Sequence, residues 1–414
     1  MNFDHVTTAE QLHALCWRLR RCHSLALDTE FVSEHTFRPV LCLVQVAADG
    51  RQALIDPLSA GDLAPFWELL ADPRRETIVH AGRSEIEFCL AATGQPPARV
   101  FDVQLAAALV GMEYPASYAA LLNKVLGIRA HKHETRTDWR RRPLAERQIE
   151  YALDDVAHLH PLYDALTARL QALGRQAWLA EEMADWQAEI VAAAAEERWR
   201  RVTGHAALEP RGLAVVRELF AWREREAERR NQPARRVLRD DLIVELARRQ
   251  TADAKRIGAV RGLERGDLQR RLPEIAACIA QALSLPEAQC PHRLHRARTP
   301  ELSVLGQFLF AALGSVCRAA ELSPSLVGTP NDIREWIAYR ERGLRTAEPT
   351  SVDVAARADA AAPPAAETPP KLARGWRKQF VGDLLENLLL GRTAVSVAEP
   401  ESDHPLAFAP RPSK

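Results

Sequence analysis

A chain of 414 residues, 47% of them hydrophobic, is too long for one ordinary domain and carries ample apolar material for two or three cores. No apolar run approaches the ~18–20 residues of a membrane span, and the opening Met-Asn-Phe-Asp-His lacks a signal peptide's basic and apolar regions, so a cytoplasmic protein without membrane contact is expected. Seven scattered cysteines without a Cys-x-x-Cys pair argue against a disulfide framework and a cysteine zinc site, while the net charge of +0 conceals local clusters of arginine.

In chain order, residues 8–22 predict an amphipathic helix with a Thr8 cap and a basic end. The stretch His23-Ser24-Leu25-Ala26-Leu27-Asp28-Thr29-Glu30-Phe31 follows as a strand that leaves a hydrophobic core and ends in two acids. Alternation along a strand points Asp28 and Glu30 the same way. Such neighbours repel and raise each other's pKa unless a cation lies between them. Oxygen-only ligands suit a hard divalent ion such as Mg²⁺ or Mn²⁺. On this tripeptide alone, a strand end with two solvated acids is the simpler account.

Residues 41–47, the Asp49-Gly50 turn and residues 53–56 read as a hairpin returning beside that strand. Residues 66–71 predict a helix, and Thr77-Ile78-Val79-His80 a strand that breaks at Ala81-Gly82 into a helix over 84–92. A short strand at 100–102 leads into a helix over 104–110. The pattern predicts an α/β domain with a mixed sheet flanked by helices. One long helical pattern runs from Pro143 to about Leu173 and a second to Arg201, with Gly204 and Pro210 marking a boundary. Residues 209–285 are helical throughout, with 17 Lys/Arg against 11 Asp/Glu in 209–271. A third helical block starts at Pro300. It is interrupted by an Ala/Pro-rich stretch, 347–370, that reads as a disordered linker, and it resumes over 371–392. The tail, 396–414, reads as unstructured.

Two further acidic features join the first pair. Tyr151 and Asp155 share a helix face at i,i+4, whereas Asp154 is rotated by roughly 100°. An acid one turn from a phenol can hold a metal while the phenol orients a water, although an ordinary surface helix would show the same spacing. At His80-Ala81-Gly82-Arg83-Ser84-Glu85-Ile86-Glu87 a helix opens with two glutamates, whose charge its N-terminus favours in any case.

Together these stretches resemble the ribonuclease D family, in the tyrosine-bearing branch of the DEDD superfamily of 3′→5′ exonucleases. Asp28-Thr29-Glu30 looks like the first exonuclease motif and Tyr151-x-x-x-Asp155 like the third. The surroundings agree: residues 37–46, Leu54-Ile55-Asp56-Pro57-Leu58, Phe101-Asp102-Val103-Gln104, Arg136-Thr137-Asp138-Trp139 and Arg142-Pro143-Leu144 are similar to the family's flanking segments. The likeness covers roughly residues 5–200. It departs at the second motif, where the family reads His-Ala-Gly-Ser-Glu-Asp and this chain places Arg83 at the serine and Glu85 at the metal-site aspartate. Residues 209–285 resemble the helicase-and-RNase-D C-terminal (HRDC) domain, on 213–223, 232–238, 240–247 and Leu272-Pro273-Glu274-Ile275.

The resemblance implies a ribonuclease H-like mixed sheet over 1–204, an HRDC helical bundle over 205–290, and over 291–395 a second, degenerate HRDC-like region. It implies two divalent cations, Mg²⁺ or Mn²⁺, on Asp28, Glu30, Glu85 and Asp155, with Tyr151 orienting the attacking water. Lys132 and Arg136 become candidates for RNA phosphate contacts, against a solvated basic loop. The activity implied is removal of nucleoside 5′-monophosphates from the 3′ end of precursor tRNA or other small structured RNA, with a monomer as the default. Two alternatives stay open here: a nucleic-acid-binding protein weakened by Glu85, and a 3′→5′ exonuclease acting on DNA.

Overall fold

A computed structural model describes residues 3–129, 137–195, 197–293, 303–347 and 369–411. Its centre is a six-stranded mixed sheet of β1 (Phe3–Val6), β2 (Ser24–Val32), β3 (Val40–Ala48), β4 (Arg51–Ile55), β5 (Glu76–Val79) and β6 (Val100–Asp102), in the order β1-β4-β3-β2-β5-β6. The acid-bearing strand β2 lies inside it, antiparallel to β3 and parallel to β5. Leu25, Ala26 and Leu27 are wholly buried, as a strand covered on both faces requires. The expected α/β class with a mixed sheet is the one that forms.

The helices fall into two layers. Leu25, Leu27, Val44 and Val46 share a core with α1 (Ala9–Leu19), α2 (Ala64–Leu70) and α3 (Arg83–Thr93). Alternation turns Ala26, Asp28 and Glu30 to the opposite face, where α4 (Val103–Ala108), α5 (Glu146–Ala157) and α6 (Leu159–Ala172) pack. Thr8 caps α1 reciprocally: its hydroxyl accepts from the Gln11 amide at 3.3 Å, and its own amide donates to the Gln11 side chain at 3.2 Å. The long helical pattern after Pro143 resolves into α5 and α6, with His158 leaving helical geometry (φ −112°, ψ 6°) between them. The break lets α5 follow β3 and β4 while α6 crosses to β5 and α4.

The strand break at Ala81-Gly82 has a steric cause. Ala81 sits at φ 52°, and a Cβ on Gly82 would lie 2.3 Å from Val79 Cγ2. The Gly82 amide donates to Asp102 Oδ2 at 2.9 Å, and the other oxygen of Asp102 caps α4 through the amides of Gln104 and Leu105 (2.8 and 3.2 Å). One buried carboxylate therefore fixes both the turn that launches α3 and the start of α4.

After α7 (Gln176–Ala195), a separate bundle forms around α8 (Pro210–Arg229), α9 (Asp240–Arg249) and α10 (Leu272–Ser284). Its own core includes Leu219, Ile243, Leu246, Ile275 and Ile279. It touches the β2–β3 loop just beyond Glu30: Arg38 pairs with Glu228 at 3.1 Å, and the Phe37 amide donates to Asn231 at 3.3 Å.

The third block contains α11 (Val304–Ala319), α12 (Pro330–Ala347), short helical turns over 371–382, and α13 (Asp383–Leu389). It shares its core with the nuclease layer, where Leu309, Leu313, Trp336 and Trp376 join Leu109, Leu162, Leu166 and Met183. The tail, expected to be unstructured from 396, instead pairs β7 (Thr393–Val397) with β8 (Leu406–Pro410), and the Leu406 amide donates to Ser315 of α11. Each strand is only five residues long and buries none of them fully, which leaves little hydrophobic pattern to read.

Polar clamps hold this block down. Arg175 donates to the carbonyls of Leu109 and Glu321, both at 2.7 Å. Trp178 stacks on Trp376 with centroids 4.9 Å apart. Beside them, Arg377 makes a buried two-point pair with Glu182 at 2.6 and 2.9 Å. Breaking one partner of such a pair strands the other charge, so Arg377→Ala should cost about 3–5 kcal/mol. Chemical denaturation of parent and variant checks this, and a loss under about 1 kcal/mol would show the pair to be dispensable.

Candidate active site

Parallel pairing of β2 with β5 stops at Ala26, so the C-terminal half of β2 runs on past the end of β5. Asp28 and Glu30 lie on that half, and α5 lays Asp155 over them. One carboxylate oxygen from each of Asp28, Glu30 and Asp155 lies within 4.8 Å of the others. Each of these side chains is half-buried. None makes a salt bridge among the described residues, so their repulsion goes unrelieved. Burial pushes Asp28 well above the usual carboxylate range, reinforced by the charges of Glu85, Asp155 and Glu30. Glu30 is pushed up to about 8 by burial and by the charges of Asp155 and Glu85. Burial lifts Asp155 to about 7, although the hydrogen bond from Tyr151 opposes it. Crowded acid oxygens that resist ionisation are the donor set a hard divalent cation satisfies, so these residues fit such an ion.

Tyr151 stands one helical turn from Asp155, as the spacing predicts, and its phenol donates a hydrogen bond to that carboxylate. Burial and the charges of Asp155, Glu30 and Asp28 push the phenol's pKa up, so it stays protonated at neutral pH. Asp154 is exposed, on another face.

Glu85 is brought to the same half of β2 but held differently. Its carboxylate is buried and accepts from the Thr29 hydroxyl at 2.5 Å, across the sheet plane from Asp28. Burial pushes it up to about 7, with the Thr29 bond opposing, and its charge bears on both Asp28 and Glu30. It stands outside the close group of Asp28, Glu30 and Asp155. Glu87 is exposed and pairs with Arg83 at 2.9 Å, pointing away from the cluster. Lys132 and Arg136 lie outside the described residues.

Several supporting residues carry little signal in the sequence. Thr29 sits between two acids and reads as a spacer, yet it anchors Glu85. Arg142 pins the segment before α5 to the sheet: it donates to both oxygens of Asp56 (2.5 and 2.8 Å) and to the carbonyls of Cys42 and Trp139 (both 2.7 Å). Although burial pushes the Asp56 carboxyl up, that guanidinium holds it below the usual range. Gln148 then accepts from the Ala145 amide at 3.0 Å and closes the first turn of α5. The proline-flanked Asp56 and Arg142 were the visible trace of this clamp, but their pairing spans 86 positions.

Acids converging at the carboxyl end of a mixed sheet, with a helical bundle beside them, define a class: a DEDD-type 3′→5′ exonuclease bearing an HRDC domain. Sequence-family comparison agrees, with a 3′-5′ exonuclease family matching residues 3–171 and the HRDC domain matching 212–279. Ribonuclease D of Pseudomonas paraeruginosa is 36% identical over 387 residues, covering 93% of this chain and 96% of its own. Ribonuclease D of Granulibacter bethesdensis is 38% identical over 341 residues, 79% and 84% of the two chains. Escherichia coli RNase D, an exoribonuclease involved in structured RNA processing, superposes with a TM-score of 0.77 at 28% identity, covering 94% of this chain and 99% of that one. The chain belongs to the ribonuclease D family and is a 3′→5′ exoribonuclease. Exonucleases of this type use divalent metal ions. No helix among the described residues is long and apolar enough to cross a membrane.

The raised acids make stability depend on pH. Their folded pKa values, about 7 to 8 for Glu85, Asp155 and Glu30, exceed the unfolded values of roughly 4. Between those limits the folded state binds more protons at these acids, so the stability they contribute is fullest below about pH 4 and is lost as pH rises towards 8. A divalent cation held by these acids would offset that loss. Melting in EDTA should therefore occur at lower temperature at pH 8 than at pH 5.5, and Mn²⁺ should raise the melting temperature more at pH 8. An equal Mn²⁺ effect at both pH values would contradict the site's electrostatics.

Proposed function

We propose that the enzyme trims 3′ extensions from small structured RNA such as precursor tRNA, releasing one nucleoside 5′-monophosphate per cycle. The observation that carries this reading is the cluster of Asp28, Glu30 and Asp155 with Tyr151 bonded to its edge. In it, Asp28, Glu30 and Asp155 would hold two Mg²⁺ or Mn²⁺ ions, and Glu85 would support them from behind Asp28. When bound, such a pair supplies Lewis acidity and an acidified water for in-line attack on the terminal phosphodiester.

The protein's own groups supply orientation and charge. Asp28 and Glu30, on one strand face, fix two carboxylates at a spacing set by the backbone. Tyr151, kept protonated by its surroundings, orients the water by hydrogen bonding and is no base. Glu85 contributes negative charge through a side chain locked by Thr29, which absorbs the methylene that distinguishes it from aspartate. That lock supports an active site over a decayed one.

The HRDC bundle stands beside the loop that follows Glu30, a placement suited to gripping RNA beyond the reacting end. Most of its arginines are already paired, as Arg229, Arg230 and Arg271 are around Glu226. Arg225, Arg248, Arg261 and Arg270 are among the exposed basic residues that make no ion pair among the described residues, so they are available as phosphate contacts.

A 3′-extended tRNA and a matched single-stranded DNA, incubated with Mn²⁺, Mg²⁺ or EDTA, test the proposal. Stepwise shortening of the RNA is expected only with metal. Asp28→Asn should lose on the order of 10³-fold in rate, and Tyr151→Phe about 10²-fold with the fold intact. Glu85→Gln should be severely impaired. Near-parental turnover by Asp28→Asn, or undiminished turnover in EDTA, would overturn this mechanism.

A further inference from the structure

Gln45 is fully buried, and neither its amide nitrogen nor its amide oxygen has a hydrogen-bond partner. Antiparallel register sets it on β3 directly across from Asp28, so the two side chains leave the sheet on the same face. Its other strand neighbour is Leu54. On that side Leu43 and Leu54 form an apolar cluster with Ala152 and Leu153 of α5. The amide thus has hydrocarbon behind it and the acids of the site before it.

Burying an amide without partners forfeits its hydration, a cost that leucine or methionine at this position would not incur. A carboxylate offers about four acceptor sites, and one that holds a cation on its outer side still has inner lone pairs to satisfy. We infer that Gln45 is a positioning residue for Asp28: its side-chain NH₂ donates to the carboxylate, fixing the orientation in which the acid meets a divalent cation. The inference rests on the assignment of Asp28 as a metal-holding acid. Partners of this kind, one step removed from a metal, typically change affinity or activity by about 10–100-fold when removed. The sequence offers no hint of this role, because a lone glutamine in an apolar strand reads only as an interruption of the core.

Gln45→Met keeps the length and removes the amide. Calorimetric titration of the full-length variant with Mn²⁺ should show a dissociation constant raised about tenfold. At saturating Mn²⁺, kcat should fall about tenfold with KM for RNA within about twofold, and the metal-free melting temperature should be unchanged or higher. Gln45→Asn, which keeps the amide one methylene short, should recover part of the Mn²⁺ affinity. It also carries the test if the methionine variant does not fold, since it should still bind Mn²⁺ measurably more weakly than the parent. A folded Gln45→Met with parental Mn²⁺ affinity and kcat would overturn the inference. So would a lowered melting temperature with both quantities unchanged, which is the mark of a packing role. Asp28→Asn, titrated alongside, separates the two levels: parental Mn²⁺ binding there would overturn the metal-site assignment itself, whereas lost binding there with none lost in Gln45→Met would overturn only the role of Gln45.

Discussion

Like charges held together on the C-terminal half of β2 are the constraint around which the rest of the molecule is arranged. Asp28, Glu30 and Asp155 crowd one side of that strand, and Glu85 presses on them from the other. An unsupported cluster of this kind would splay apart or shed its acids to solvent. Here each carboxylate is tethered by an element that cannot yield cheaply. Asp28 and Glu30 sit on an internal strand, Asp155 on a helix clamped through Arg142 and Asp56, and Glu85 on a helix launched by the Asp102 turn. Repulsion is stored by the fold and relieved by protons or by a cation.

The same logic gives the C-terminal half its place. The third helical block buries its apolar side against α4, α6 and α7, the layer that also backs the acid-bearing face of the sheet. Arg175, Trp178 and Glu182 reach from the nuclease half to lock it there. The HRDC bundle has its own core and meets the nuclease at the β2–β3 loop, through polar contacts and through Phe37, which packs against that core. One helical block therefore stiffens the scaffold, and the other stands at the rim.

Local patterns in the sequence carried much of this. Strand alternation put Asp28 and Glu30 on one face, helical spacing joined Tyr151 to Asp155, and Ala81-Gly82 marked the turn before Glu85. What stayed hidden depends on contacts between distant segments. Thr29 points away from the acids it separates, and only the arrival of α3 on that side gives it a partner. The Arg142–Asp56 clamp joins two loops, and no periodicity encodes such a pairing. The third block showed amphipathic helices, but an apolar helix face does not name the surface that will cover it. The break at His158 was invisible for a related reason: both helices continue the same apolar pattern while packing on different neighbours.

The most direct test of the stored repulsion is anomalous diffraction from a crystal equilibrated with Mn²⁺ near neutral pH. The account predicts anomalous density bounded by the carboxylates of Asp28, Glu30 and Asp155, with Glu85 still bonded to Thr29. Density absent from that cluster, or held by Glu87 in place of these acids, would contradict it.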